Sequence, residues 1–235
     1  MIPKIIHYCW FGRNPLPASA QECIASWRKS LPDYEIKEWN EDNFDVNIIP
    51  YTQQAYEAKK YAFVSDYARF WVLYHYGGLY FDTDVEVIKS FDDIVERGSF
   101  MGLEIDGTKK NTKIAIAPGL GLGAEADMDI YRIILDGFTK IDFYDASGQR
   151  NHFSMIPMVT KMFLERGLVA NGQIQQICGI TIYPQCFFNP YNCSNGRLQI
   201  SSDTHSIHWY SASWMNPQRL WLVKFKRLIR KFVTI

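Results

Sequence analysis

No apolar run in this chain approaches the roughly 20 residues that a membrane-spanning helix needs, so no transmembrane segment is expected. No signal-peptide pattern stands at the start, where a strand-like run begins almost at once, and the reading places the chain in the cytoplasm. Neither sign of charge is in excess: 25 Lys and Arg balance 25 Asp and Glu. That balance argues against a general nucleic-acid binder, so no nucleic-acid partner is expected. Cysteine is sparse and odd in number, at Cys9, Cys23, Cys178, Cys186 and Cys193, with no CxxC. Cys186 and Cys193 could pair, but reduced thiols are the expectation for a cytosolic protein. The glycine-rich run 117–123 lacks the Gly-Lys-Ser/Thr ending of a phosphate-binding P-loop. It reads instead as flexible or closely approached backbone near the site.

What the chain does have is apolar and aromatic residues, at 47% and 15% of its 235 positions. That is enough for one domain with a sizeable core, and too much for a disordered chain. The stretch 61–88, YAFVSDYARFWVLYHYGGLYFDTDVEVI, organises the rest. Residues 61–76 carry apolar side chains at helical spacing. Gly77 and Gly78 stop that helix, since glycine accepts the conformation that follows a helix C-terminus. Residues 79–81 are a brief buried strand, and residues 85–88 resume an extended pattern. Between them stand Asp82 and Asp84, one residue apart.

Two carboxylates at a strand end repel, and burying them is costly unless a cation compensates. Mg²⁺ or Mn²⁺ would compensate, and would keep positions open for phosphate oxygens. A solvated turn that merely ends the strand is the alternative. Asp66 and Arg69, three apart on the preceding helix, share a face that the tight glycine turn folds back beside the strand.

Residues 4–10 read as a strand, 17–30 as a helix and 34–39 as a second strand, the signature of a βαβ unit in a parallel sheet. Parallel sheets bind ligands beyond the carboxyl ends of their strands. Trp10, Trp39, Asn40, Asp82 and Asp84 all belong to that edge. Trp10 could stack on a flat ring or plug the core. Asn40, Glu41 and Asp42 could cap the next helix or touch a ligand.

Further on, helices are expected at 91–97, 127–138 and 151–166, and strands at 99–104 and 180–184, with turns over 187–195. In residues 206–214, SIHWYSASW, a strand leads into a serine-rich turn. His208 could ligate the metal or be structural. Ser211, Ser213 and Trp214 could meet phosphate oxygens or only shape the turn. In 216–235 the apolar residues gather on one helical face and Lys and Arg on the other, with no acid. Such a helix suits an anionic membrane surface, which would make the protein peripheral on the inner face of the cell membrane; packing on the domain is the alternative.

The run Ser65-Asp66-x-x-Arg69, then Tyr76-Gly77-Gly78-x-Tyr80-x-Asp82-x-Asp84, resembles the signature of family 32 glycosyltransferases. These DxD-containing enzymes include yeast-type α-mannosyltransferases and many bacterial polysaccharide enzymes, and the run is also similar to the catalytic domain of the large clostridial glucosylating toxins. The opening residues 5–12, residues 38–41 and the closing residues 208–214 match as well. The resemblance implies an α/β domain of GT-A fold over 1–215, with a Rossmann-like, mostly parallel sheet flanked by helices; the basic helix expected at 216–235 lies beyond it. It implies metal-dependent, retaining transfer of a hexose from a nucleotide-diphosphate sugar, UDP-sugar favoured, to a saccharide or lipid-linked glycan in capsular, exopolysaccharide or lipopolysaccharide synthesis. By the same resemblance Trp10 stacks on the base, and Asn40 lies with it among the donor-binding residues. Asp66 and Arg69 hold the donor sugar, and Asp82 and Asp84 serve ribose, metal and diphosphate. His208 completes the metal set, and Ser213 and Trp214 contact the leaving phosphate. Ala212 stands where the toxins carry the serine, so Ser211 and Ser213 remain rivals. A haloacid-dehalogenase-like phosphatase built on Asp82 and Asp84, or a non-catalytic nucleotide-sugar-binding protein, are the other readings.

Overall fold

The computed structural model describes residues 1–151, 153–193 and 195–211. Ser213, Trp214 and the basic segment 216–235, with its expected helix, lie outside the described residues. Among the described residues no helix is long and apolar enough to cross a membrane.

The chain opens with β1 (Ile5–Cys9), α1 (Ala18–Ser30) and β2 (Glu35–Trp39). Next come α2 (Pro50–Glu57) and α3 (Tyr61–Tyr76), which leads through the glycine turn into β3 (Gly78–Tyr80) and β4 (Val85–Val87). The middle of the chain holds α4 (Asp92–Val95), β5 (Phe100–Ile105), β6 (Ala115–Ile116), β7 (Leu122–Ala124), α5 (Asp129–Phe138) and α6 (Met155–Leu164). It closes with β8 (Gln175–Ile177), β9 (Ile180–Tyr183), α7 (Gln185–Phe188), β10 (Tyr191–Asn192), β11 (Arg197–Leu198) and β12 (Ser206–His208).

The main sheet runs β2-β1-β3-β7-β5-β9-β8, with β6 beside β5. β2, β1, β3, β5 and β9 share one direction, and β7 and β8 oppose it. Both faces are covered, as a largely parallel sheet requires. On β3 the side chains alternate: Leu79 and the following Phe81 enter one apolar cluster with Ile24 and Trp27 of α1, while Tyr80 enters the other with Phe70 and Leu73 of α3. The spacing of Ala20, Cys23, Ile24 and Trp27 puts one buried stripe on α1. β12 pairs antiparallel with β4 in a separate two-stranded ribbon, which sets His208 opposite Val85.

Two expectations change. Residues 40–42 do not cap a helix: α2 begins eight residues later behind Ile49, without a side-chain cap. Asn40 instead closes its own turn, accepting the Asp42 N–H. Trp39 follows the sheet edge but turns inward, 2% exposed, against Trp71 and Tyr76. The five cysteines are all free thiols.

The turn that aims β3 is held by a buried histidine. His7 donates from Nε2 to Gly77 O at 2.9 Å and accepts the Trp39 indole N–H on Nδ1 at 3.0 Å. Any Cβ on Gly78 would stand 2.7 Å from Ile5 O and 3.0 Å from that Nε2, at φ +99°. Burial lowers the His7 imidazole to about 4. The folded state therefore favours neutral His7, so its stabilisation is complete above pH 6.5 and is lost as pH falls towards 4. We expect His7 to remove about 3 kcal/mol over that window. Urea unfolding at pH 7 and pH 4.5 should show the wild type losing far more stability than His7→Gln, whose amide can keep both hydrogen bonds without taking a proton. Equal losses would disprove the assignment.

Candidate active site

The carboxyl ends of β1, β2 and β3 lie side by side because the three strands are parallel neighbours. Beyond β3 the chain makes a tight turn, with Val85 N donating to Asp82 O at 3.0 Å. That turn presents both aspartates at the sheet edge.

One side of the turn is an ion-pair chain. Arg69, 4% exposed, donates Nη2 to Asp66 Oδ1 at 2.9 Å and Nη1 to Asp82 Oδ2 at 3.3 Å. Its Nε bonds Ser65 O at 3.1 Å, and its guanidinium lies 5.0 Å from the Tyr80 ring centroid. The Tyr80 hydroxyl donates to the other oxygen of Asp82 at 3.0 Å. Burial pushes the Asp66 carboxyl up to about 6, with Arg69 pulling it down and Asp82 pushing it further up. For Arg69, burial disfavours the charge, but Asp82, Tyr80 and Asp66 outweigh it and the side chain stays a cation.

The other side is formed by the end of the chain. The β12–β4 ribbon brings His208 Nε2 to 3.0 Å from Asp84 Oδ1. Ser211 gives both its N–H, at 2.8 Å, and its hydroxyl, at 3.1 Å, to Asp84 Oδ2. Burial alone would raise Asp84, but His208 and the two Ser211 donors outweigh it and hold the carboxyl at about 2. His208 is raised above its ordinary value by Asp84, against its own burial.

Ligand atoms of Asp82, Asp84 and His208 all lie within 4.8 Å of one another. His208 Nδ1 is buried and has no partner among the described residues. Two carboxylates and an imidazole, with a nitrogen otherwise unaccounted for among the described residues, fit a divalent cation such as Mn²⁺ or Mg²⁺.

The glycine-rich run 117–123 explains itself here. Gly119 O accepts the Asp82 N–H at 3.3 Å, and a Cβ on Gly119 would stand 2.0 Å from Asp82 Oδ2 and 3.1 Å from Arg69 Nη1. Only glycine lets this backbone pass the carboxylate. Cys9 ends β1 beneath the cluster, and burial pushes its thiol up to about 12 although Arg69 acts to lower it, which makes it a poor nucleophile.

From Cys9 the chain leads into a groove of about 390 Å³ lined by Trp10, Arg13, Asn14, Pro15, Glu38, Asn40 and Glu41. Trp10 is half-buried against the core and also lines the groove, and its indole N–H is fixed on Asn14 O at 2.6 Å. Asn40 is held by Glu38, whose Oε1 accepts its amide at 2.8 Å. Thus Asp66, Arg69, Asp82, Asp84, His208 and Ser211 form one cluster, and Trp10 and Asn40 stand in the adjoining groove. Sequence reasoning had no role for Tyr80 or Gly119 in the cluster; a tyrosine two residues before the first aspartate was the available signal for Tyr80.

Residues 17–101 match the family described as "Glycosyltransferase sugar-binding region containing DXD motif". Inositol phosphoceramide mannosyltransferase 1 of Schizosaccharomyces pombe is 27% identical over 111 residues, which are 43% of this chain and 33% of the relative. Inositol phosphoceramide mannosyltransferase 3 of the same yeast is 32% identical over 98 residues, 40% of this chain and 27% of the relative. The chain thus spans about a third or less of the length of these curated relatives. A crystal structure of a glycosyltransferase involved in glycosylating the major capsid of PBCV-1 superposes on 94% of this chain and 100% of its own, with a TM-score of 0.50 and 12% identity. That likeness concerns the fold, while the sequence matched by the family, residues 17–101, contains the Asp66–Arg69 helix and both aspartates. Residues 17–101 thus match the DXD-containing sugar-binding region of glycosyltransferases, and the described fold is that of the GT-A glycosyltransferases.

Proposed function

We propose that this protein transfers a hexosyl group, with retention of anomeric configuration, from a nucleoside diphosphate sugar to a hydroxyl of a saccharide or lipid-linked glycan. The observation that carries the reading is the meeting of Asp82, Asp84 and His208 beside the Asp66–Arg69 pair. A divalent cation held by the first three would supply positive charge beside the departing diphosphate. Every other part of the chemistry belongs to the chain. Trp10 and Asn40 take the nucleoside in the groove. Arg69 bridges Asp66 and Asp82 and fixes their orientations, and Asp66 accepts hydrogen bonds from the donor sugar's hydroxyls.

In the transfer, the bond from C1 of the sugar to the β-phosphate oxygen breaks as a C1–O bond to the acceptor forms on the same face. The acceptor proton passes to an oxygen of the leaving diphosphate. No carboxylate in the cluster is free for covalent attack: Asp66 and Asp82 bind Arg69, and Asp84 binds His208 and Ser211. A UDP-hexose is the favoured donor. GDP-mannose stands next, since the two yeast relatives are named as mannosyltransferases. Polysaccharide assembly at the inner face of a membrane, reached through the basic segment 216–235, is the setting that suits this donor and acceptor.

The test is a panel of UDP-glucose, UDP-galactose and GDP-mannose with Mn²⁺, read by release of the nucleoside diphosphate and by the product anomer. One donor should be cleaved, cleavage should stop with chelator and return with Mn²⁺, and the anomer should be retained. A protein that neither binds nor cleaves any of the three would end the proposal.

A further inference from the structure

Beyond this cluster the described surface carries an aromatic pair with no structural task that accounts for it. Trp209 directly follows His208, and its backbone N–H donates to Asp84 O at 2.9 Å, so it is tied to the same turn. Its indole N–H donates to Glu86 Oε2 at 2.9 Å, yet the residue remains 37% exposed. The Tyr191 ring lies 5.4 Å from the indole, tilted by 49°. Tyr191 is held on the β10–β11 hairpin opposite Leu198, itself exposed.

An indole fixed at its polar edge, with Tyr191 beside it and about a third of its surface exposed, has only its apolar ring left to offer. The C–H face of a pyranose is the complement of such a ring, and sugar hydroxyls need acceptors at its rim, which the Glu86 carboxylate provides. A lipid surface would instead call for basic residues at the rim. We propose that Tyr191, Trp209 and Glu86 form the acceptor subsite, binding a pyranoside by one face so that a hydroxyl is delivered towards the donor past Asp84. The proposal rests on the glycosyl-transfer reading above. It adds no chemical step: the subsite binds and orients, and the bonds broken and formed are those already given.

The experiment uses the full chain with Mn²⁺ and the donor it cleaves, and methyl α-mannopyranoside and methyl β-glucopyranoside as probes. Saturation-transfer NMR should show one of them receiving magnetisation mainly on C–H protons of one face. Trp209→Ala and Tyr191→Ala should abolish that signal and raise the KM for the probe in transfer by at least about tenfold. Hydrolysis of the donor by water should stay within about twofold of wild type, and Trp209→Phe should recover part of the affinity. Absence of any signal from both pyranosides in the wild type overturns the subsite. So does a Trp209→Ala protein that transfers with unchanged KM, one in which hydrolysis and transfer fall together, or Trp209 fluorescence that answers anionic vesicles and neither sugar. Failure of donor hydrolysis in the wild type would be a different result, and would count against the glycosyl-transfer reading itself.

Discussion

Replacing Asp84 with Asn should lower Mn²⁺-dependent cleavage of the sugar nucleotide by at least about a thousandfold, on the order of 4 kcal/mol in the barrier. Asp84 sits where three donors converge: His208 on Oδ1, and the N–H and hydroxyl of Ser211 on Oδ2. An amide in its place must turn an NH₂ group towards one of those donors, and it brings no negative charge for a cation. The fold should tolerate the change. Asp84 raises His208 against its own burial, so removing that carboxylate shifts the imidazole towards the neutral form that burial favours. The melting temperature should therefore move by a few degrees at most, while calorimetric titration with MnCl₂ and a nucleoside diphosphate loses its metal-dependent part. An Asp84→Asn protein that keeps its response to Mn²⁺ would place the metal elsewhere and remove the basis of the proposed function.

The second large effect concerns stability. Arg69→Met should destabilise the protein by about 3–5 kcal/mol, because it leaves two carboxylates facing each other without their shared cation. For a chain of this size that is a fall in melting temperature on the order of 10 °C. Arg69→Lys should recover less than half of the loss. The guanidinium reaches Asp66 with Nη2, Asp82 with Nη1 and Ser65 O with Nε, and a single ammonium cannot span those three directions. Arg69→Met combined with Asp66→Asn should be more stable than Arg69→Met alone, since one of the opposed charges is gone. Scanning calorimetry at pH 7 decides it: an Arg69→Met protein melting within about 2 °C of wild type would mean that Arg69 is not what keeps Asp66 and Asp82 together.

Much of this arrangement is written locally. α1 and α5 were legible because each buries one stripe, which appears in sequence as apolar residues three and four apart, whereas α3 is buried on several sides and was legible from its long apolar and aromatic content. The end of α3 was legible because Gly77 and Gly78 take positive φ values of 63° and 99°. The glycine excess of residues 117–123 fitted either flexible backbone or a close approach near the site; the structure shows the close approach, with Gly119 against Asp82.

Other elements carry no such mark. α2 is two turns long, begins at a proline and is largely polar, so its helical state depends on burying Tyr51, Thr52 and Ala55. β6, β10 and β11 have two residues each, too few for alternation to register. Asn40, Glu41 and Asp42 have the composition of a helix cap but serve as cross-braces. Asn40 closes its turn, Glu41 accepts the Gly12 N–H and Asp42 accepts from Arg13. Local composition cannot distinguish a carboxylate waiting for a helix from one waiting for a distant loop.

The sheet's parallel start, the helix that carries Asp66 and Arg69, and the pair of aspartates after a strand follow from residues within a few positions of one another, because periodicity and backbone preference act over that range. The joining of β12 to β4 does not. It connects segments more than a hundred residues apart, and nothing in either segment names the other; only the packed fold brings His208 and Ser211 to Asp84. The same holds for Gly119 against Asp82, and for Trp209 against Tyr191 and Glu86. Which side chains share a strand or a helix face is a local matter of backbone geometry. Which of them share a cation or a sugar depends on how distant segments bury their apolar faces against one another.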